Sequence, residues 1–301
     1  MHSGPNDGIV LKRPNLFLVG AAKCGTTSLH HFLSKQPGVF MAQNKEPHFF
    51  SRPSLDPHEA ALMKIVTERT RYEALFAGAG SAIIRGESST SYLPSRDAAA
   101  RISEYAPNAY VLIALRDPVD RAYSHYLYNY AEGIERRSFT ECIYSGVSSP
   151  DRETWPRNYI SGGLYVEQMR RYLLLFPGRV LVLFLEEVVA DPRSSAREVL
   201  SFLGLGAETE TALPLRNGHR RPTTIGRLLL PQTRPRLVAR SIVPRRLRPA
   251  LRSVLLRPAP KPALSRVERA ALQDAYAGED GRLEEILGRR VHWDRDCGKG
   301  R

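Results

Sequence analysis

The sequence predicts an α/β fold: a P-loop-type, mainly parallel sheet flanked by helices on both faces, followed by an irregular basic C-terminal excursion. Three observations carry this prediction. Short apolar runs alternate with helix-period segments through the first 204 residues, the pattern of successive βα units. The first run, Leu16-Phe17-Leu18-Val19, feeds a glycine loop and then a helix N-terminus, an arrangement that cradles anions. The charge is uneven: Lys/Arg and Asp/Glu balance through residue 214, and the net excess of +13 lies in residues 215–301.

A chain of 301 residues with 42% hydrophobic and 25% charged residues has the composition of an ordinary globular protein. No apolar run reaches the roughly 20 residues of a membrane span. The N-terminal segment has no apolar h-region, so no signal peptide is expected. Cys24, Cys142 and Cys297 are scattered and odd in number, which argues against a disulfide framework and for a reducing, cytoplasmic setting. Cys24 stands at a helix N-terminus, where a thiol pKa can fall; a small residue in a tight loop is the plainer role.

In chain order, residues 1–13 read as a loose arm. The strand after Pro14 leads into the glycine loop and a helix from Thr27 to Lys35, stopped by Pro37 and Gly38. Val39 to Met41 is a short strand ahead of the chemically dense loop Asn44-Lys45-Glu46-Pro47-His48-Phe49-Phe50. Residues 58–77 have helical spacing; Ala82 to Ile84 is a strand running into Gly86-Glu87-Ser88-Ser89-Thr90-Ser91-Tyr92, and a helix spans Arg96 to Tyr105. Tyr110 to Leu115 is the strongest strand, ending at Arg116-Asp117-Pro118 where a helix through Arg121, Ser124 and Tyr128 begins. Residues 145–158 read as a surface loop, Leu164 to Phe176 as a helix, Val180 to Leu185 as a strand and Ser194 to Leu203 as a helix. The proline- and arginine-rich stretch 215–264 is irregular, either a solvated excursion or a lid. Leu264 to Leu287 is helical again, with Ser265 and Glu268 forming a capping box, and Val291 to Trp293 docks on the core. We expect one domain over residues 1–301, with its α/β core at 14–205, the basic segment at 215–264 and a helical segment at 265–293.

Gly20, Glu46, Glu87 and Arg116 all follow predicted strands, so a parallel sheet brings them to one crevice. The loop Gly20-Ala21-Ala22-Lys23-Cys24-Gly25-Thr26-Thr27 has the glycine spacing of a Walker A loop. Thr26 stands where the Walker lysine belongs, and the lysine sits inside the loop at Lys23. No Asp-rich strand end suggests a Mg²⁺ site, so this is a phosphate loop altered away from nucleoside triphosphate hydrolysis. Arg116 with Ser124, an arginine at a strand end and a hydroxyl on the following helix, forms a second anion feature. Two such features point to a ligand with two separate phosphates.

These residues together resemble the sulfotransferases that use 3′-phosphoadenosine 5′-phosphosulfate (PAPS). In that family a loop like Lys23-Cys24-Gly25-Thr26-Thr27-Ser28 holds the 5′-phosphosulfate, and an element like Arg116-Asp117-Pro118 through Ser124 holds the 3′-phosphate. Lys45-Glu46-Pro47-His48-Phe49-Phe50 resembles the segment with the catalytic glutamate in the heparan sulfate sulfotransferase branch and its bacterial relatives. Leu164-Tyr165, Phe176-Pro177, Asp191-Pro192 and the ending Leu287-Gly288-Arg289 to Trp293 resemble that branch as well. The likeness covers residues 14–205 and 264–293. One departure stands out: much of the branch has a lysine after the glutamate corresponding to Glu87, near the transferred sulfate, and this chain has Ser88. Lys23, Lys45 or an arginine of the basic segment would then carry that charge.

The resemblance implies in-line displacement at sulfur with release of adenosine 3′,5′-bisphosphate. Glu46 is the expected base and Glu87 its rival; His48 orients Glu46 or the acceptor. Lys23 and the N–H groups of Gly25 to Thr27 stabilise the leaving group, while Ser28 binds the 5′-phosphate or merely opens the helix. Asn217-Gly218-His219-Arg220-Arg221 is the candidate for a basic loop closing over the 3′-phosphate. No metal is expected, since the histidines lack ligand spacing. A glycan, a lipid-linked glycan or a small natural product fits as acceptor. Residues 222–260 are a candidate contact for an anionic membrane, and no nucleic acid is expected. A P-loop kinase and an inactive homologue that binds PAPS or the bisphosphate are the alternatives.

Overall fold

The computed structural model describes residues 13–51, 63, 65–206, 212–214, 220–222, 256–291 and 293. Its centre is β1 (Leu16–Gly20), whose five residues are all buried. Around it lies a parallel five-stranded sheet of order β2-β3-β1-β4-β5, with β2 at Val39–Met41, β3 at Ile84–Ser88, β4 at Tyr110–Leu115 and β5 at Val180–Phe184. Alternate side chains of the central strands enter opposite layers. Phe17, Val19, Val111 and Ile113 join one apolar cluster, and Leu16, Leu18 and Leu112 join the other. The first layer is covered by α6 (Tyr165–Leu175) and α10 (Glu279–Leu287), the second by α1 (Thr26–Leu33) and α8 (Pro192–Phe202).

Strands β1 and β3 are neighbours, yet the chain leaves them in opposite directions, toward β2 and toward β4. Ligands of open parallel sheets bind at such a switch point, beyond the carboxyl ends of the strands. The register sets Leu18 beside Ser88, so the loops after β1 and β3 emerge side by side.

Several boundaries differ from expectation. Between 58 and 77 the described helical residues are Met63 and α2 (Arg69–Glu73), the latter continued by a tight turn at Ala74–Ala79; residues 52–62 and 64 lie outside the description. The Val66 N–H donates to the Pro47 carbonyl, which ties residue 66 to the dense loop instead of to a helix. The third strand begins at Ile84 and runs to Ser88, so it includes Glu87 instead of ending before it. After α3 (Ala98–Tyr105) and α4 (Pro118–Ala131), helix α5 (Phe139–Ser148) fills the start of the expected surface loop. It starts with a full Ser138–Glu141 capping box, and Phe139, Cys142 and Ile143 are buried. A further helix, α7 (Leu185–Ala190), follows β5 directly.

The expected C-terminal helix is two, α9 (Arg266–Ala275) and α10, separated where Gly278 adopts the left-handed conformation. The Ser265–Glu268 capping box opens α9 as expected. Trp293 packs against Tyr165 and Phe184 and donates its indole N–H to Asp280. In the basic segment, β6 (Arg220–Pro222) pairs antiparallel with β7 (Leu256–Pro258) and runs beside α4. The expected membrane contact of 222–260 falls almost wholly outside the described residues. Among the described residues no helix is long and apolar enough to cross a membrane.

Candidate active site

The loop between β1 and α1 is bent by Gly20 (φ 153°) and Gly25 (φ 88°). A Cβ on Gly20 would lie 2.7 Å from that of Leu93, so only glycine lets the loop pass there. Helix α1 has no side-chain cap and no acidic residue in its first turn. Its N-terminus therefore keeps its positive dipole end for an anion. Thr26 and Ser28 are buried and Thr27 is exposed. Lys23 is also left-handed (φ 71°), and its Nζ sits 4.5 Å from the ring centre of Tyr128 on α4. The Cys24 thiol is pushed up to about 12 by burial, against the pull of Arg121 and Arg116. The helix terminus does not activate it, and the small-residue role applies.

The loop after β2 is shaped against the end of β3. Glu46 and His48 both adopt left-handed backbone (φ 63° and 55°), which costs non-glycine residues about 1–3 kcal/mol each. Neighbouring groups hold that shape. Glu46 N–H donates to the Ser88 carbonyl (2.9 Å), and His48 N–H donates to Ser89 Oγ (3.1 Å). Phe49 and Phe50 anchor the loop in a cluster with Tyr72, Tyr92 and Tyr105. The Glu46 carboxylate accepts the Thr90 N–H (2.8 Å) and hydroxyl (3.1 Å) on Oε2 and the Lys45 ammonium (2.5 Å) on Oε1. Burial works against its charge, but Lys45, His48 and the Thr90 N–H outweigh it, and the carboxyl stays below its ordinary range. The Glu46 side chain remains 26% exposed.

His48 is buried, with Nε2 3.7 Å from Glu46 Oε2 and Nδ1 2.6 Å from Ser91 Oγ. Burial, with a smaller push from Lys45, brings its pKa down to about 4 against the pull of Glu46. The imidazole is thus neutral at physiological pH. The Trp155 ring lies 4.3 Å from the His48 ring.

Glu87 has a different setting. It lies within β3 and is 0% exposed. The hydroxyls of Tyr72 (3.0 Å) and Tyr92 (2.6 Å) donate to its Oε1, and Ser89 donates to its Oε2 (2.8 Å). Burial raises its pKa to about 7 despite these donors. The side chain acts on the loop from beneath and has no open face in the crevice.

At the end of β4, Asp117 caps α4 and Arg116 donates to Asp120 Oδ2 (3.0 Å). Lys261 (3.5 Å) and Arg269 (3.9 Å) converge on Oδ1 of the same carboxylate. Three cations meet on that carboxylate, Glu186 accepts the Asp117 N–H beside them (3.1 Å) and also feels Arg116, and Arg116 is near enough to act on Cys24 in the phosphate loop. Ser124, half-buried, is on the same helix as Asp120. Arg220 and Arg221 run beside that helix in β6, and their side chains lie outside the description. Beneath this corner, Arg121 is buried and donates to the Tyr159 carbonyl, and Tyr165 donates to the Arg116 carbonyl (2.9 Å).

The structure brings Lys45, Glu46 and His48 together with Thr90 and Ser91, and joins the phosphate loop to Arg116 through Cys24. Lys261, Arg269 and Trp155 were missed by sequence reasoning. The first two meet Asp120 only through tertiary packing, about 140 residues along the chain, and no local pattern marks them. The run of hydroxyls Ser88 to Ser91 was visible, but only the fold sets Thr90 on Glu46. Among the described residues no group of His, Cys, Asp or Glu side chains could hold a metal ion.

The model of the family described as "Sulfotransferase family" matches residues 14–209. Mouse heparan sulfate glucosamine 3-O-sulfotransferase 3B1 is 32% identical over 194 residues, covering 64% of this chain and 46% of the relative. Human bifunctional heparan sulfate N-deacetylase/N-sulfotransferase 3 is 27% identical over 204 residues, 64% of this chain and 22% of the relative. The chain thus spans about half the length, or less, of these curated relatives. The crystal structure of a sulfotransferase from Alicyclobacillus acidocaldarius superposes with a TM-score of 0.70 at 28% identity, covering 93% of this chain and 98% of that one.

Proposed function

We propose that this chain, which belongs to the sulfotransferase family, transfers a sulfuryl group from PAPS to a hydroxyl or amine of a glycan acceptor. The observation that carries the reading is the Glu46 carboxylate: ionised, partly exposed, and fixed by Lys45 and Thr90 beside an uncapped helix N-terminus at the switch point of the sheet. The glycan class is supported by the relatives, whose names give heparan sulfate as their substrate, and by the Trp155 ring packed on His48.

In this reading PAPS supplies an activated sulfuryl group. Glu46 accepts the proton of the acceptor as the new S–O or S–N bond forms and the bond to the bridging phosphate oxygen breaks. Lys23 and the N-terminal N–H groups of α1 neutralise the charge that develops on the departing adenosine 3′,5′-bisphosphate. Neutral His48, fixed by Ser91, keeps the carboxylate aimed. Arg116 leaves Asp120 to grip the 3′-phosphate, with Lys261 and Arg269 keeping Asp120 compensated and Ser124 adding a hydroxyl. Lys45 supplies the positive charge at the base. Arg220 and Arg221, on a strand beside α4, suit a closing role in a single domain. The reducing cytoplasm is our expected compartment; the buried free thiols Cys24 and Cys142 fit it.

A thermal-shift panel tests the donor class. Adenosine 3′,5′-bisphosphate at about 100 times its Kd should stabilise the chain by about 2.7 kcal/mol, with 5′-AMP and Mg-ATP well behind. An equal response to Mg-ATP would favour a kinase and overturn the proposal.

A further inference from the structure

His30 stands on the second turn of α1, the helix whose N-terminus closes the phosphate loop. Its Nδ1 lies 2.7 Å from the Oγ of Ser88, the last residue of β3. Ser88 is fully buried, and its carbonyl accepts the Glu46 N–H. One residue therefore ties His30 to the seat of the base. The imidazole is half-buried, and its other nitrogen, Nε2, has no hydrogen-bond partner among the described residues. Ser88 is also the position where the resembling segment has lysine.

The charges around the ring are unusual for a bystander. Lys45 and Glu46 act on it from the loop after β2, His31 from its own helix, and Ser88 from β3. Burial, followed by the repulsion of Lys45, brings His30 down to about 4, so in the free protein it is neutral at physiological pH. An entering anion reverses that balance, because it offsets Lys45 and rewards a second cation.

We propose that His30 takes up a proton when the sulfuryl donor binds, and that the resulting imidazolium holds the transferring sulfuryl oxygens through its Nε2–H while Ser88, at Nδ1, fixes its ring. The proton comes from solvent or buffer and forms the second N–H bond of the ring; no other bond to His30 is made or broken. This inference rests on the sulfuryl-transfer reading above. Its chemistry is a charge-assisted hydrogen bond that tightens as the sulfuryl group moves between donor and acceptor.

The test is calorimetric titration of the full chain with PAPS near pH 7, in buffers of different ionisation enthalpy, which counts protons exchanged on binding. The expected result is that the wild type takes up about half a proton more than His30→Gln, at the switch range of an imidazole. The same comparison with adenosine 3′,5′-bisphosphate, which lacks the sulfuryl group, should show a smaller difference. In turnover, His30→Gln should lose about 10-fold or more in kcat, the worth of one charge-assisted bond, with bisphosphate affinity within about 2-fold. Ser88→Ala, which keeps the ring and frees it, should fall between the two, and melting curves verify that each variant is folded. Equal proton counts in folded wild type and His30→Gln overturn the proposal, as does an uptake lost in His48→Gln and retained in His30→Gln. If PAPS does not bind the wild type at all, the donor assignment falls and takes this role with it; binding with equal proton counts removes His30 alone.

Discussion

Replacing Glu46 by glutamine separates chemistry from binding in this site. The amide keeps an oxygen for the Thr90 N–H and hydroxyl, now at 2.8 and 3.1 Å, so the loop should stay folded. What disappears is the charge that faces Lys45 at 2.5 Å. That pair is about a quarter exposed on each side, so screening limits its loss to about 0–1 kcal/mol of stability. A lost general base lowers turnover by about 10²–10⁴-fold, or about 3–5 kcal/mol in the barrier. The assay is sulfuryl transfer from PAPS to a heparan-type oligosaccharide, paired with calorimetry of the bisphosphate, whose Kd should move less than about 3-fold. The pH profile adds an independent reading. Glu46 is held below its ordinary value of 4.5, so it is already ionised through the neutral range and the acid limb of kcat/KM should lie below that value. A Glu87 base would set the limb near its raised value of about 7. Turnover of Glu46→Gln within about 10-fold of wild type, with an acid limb near 7 that vanishes in Glu87→Gln, would refute the assignment.

Three further outcomes follow from the same contacts. Glu87 has its folded pKa raised from 4.5 to about 7, so the wild type loses stability as pH climbs through that window, up to ~3 kcal/mol at about 1.36 kcal/mol per unit. Glu87→Gln cannot titrate, and its melting temperature relative to wild type should therefore improve between pH 5 and pH 8; a difference that is flat across that range would contradict the burial argument. Arg116→Met should raise the Kd for adenosine 3′,5′-bisphosphate about 10- to 100-fold and change 5′-AMP affinity far less, with Arg116→Lys restoring only part because the planar fork is gone; equal losses for both nucleotides would move the 3′-phosphate elsewhere. Tyr276→Phe removes the hydroxyl that donates to the Tyr159 and Ile160 carbonyls, 3.1 Å each, and denaturant unfolding should register a cost of about 1–2 kcal/mol.

How much was legible in the sequence follows from the range of the interactions involved. Strands β1, β2, β4 and β5 were readable because each is a short apolar run beside a turn signal, and their parallel direction, though not their order in the sheet, followed from the helices between them. Helix α5 was missed although Ser138 and Glu141 spell a capping box, because the polar stretch that follows drew the segment toward a loop. The C-terminal helix was drawn through Gly278, whose left-handed backbone ends one helix and starts another. Glu46, Lys23 and Arg116 were visible as chemistry at strand ends. Their environments were not, since Thr90 on Glu46 and Lys261 on Asp120 are contacts that only the folded sheet creates.

The two glutamates show why environment, and not residue type, decides a role. Glu46 and Glu87 each follow an apolar strand in the sequence and each lies next to hydroxyl-bearing residues. The sheet separates them. Glu87 falls inside β3, pointing into a layer of tyrosines, where burial favours the protonated form. Glu46 falls one loop further out, where a left-handed turn aims it at Thr90 and Lys45 and keeps it ionised. Ser89 connects the two settings: its hydroxyl donates to Glu87 and accepts the His48 N–H. The buried carboxyl therefore stiffens the turn that aims the exposed one, the base we propose. A tyrosine-clasped acid beneath a strained loop is what lets a glutamate and a histidine hold backbone angles that glycine would adopt without cost.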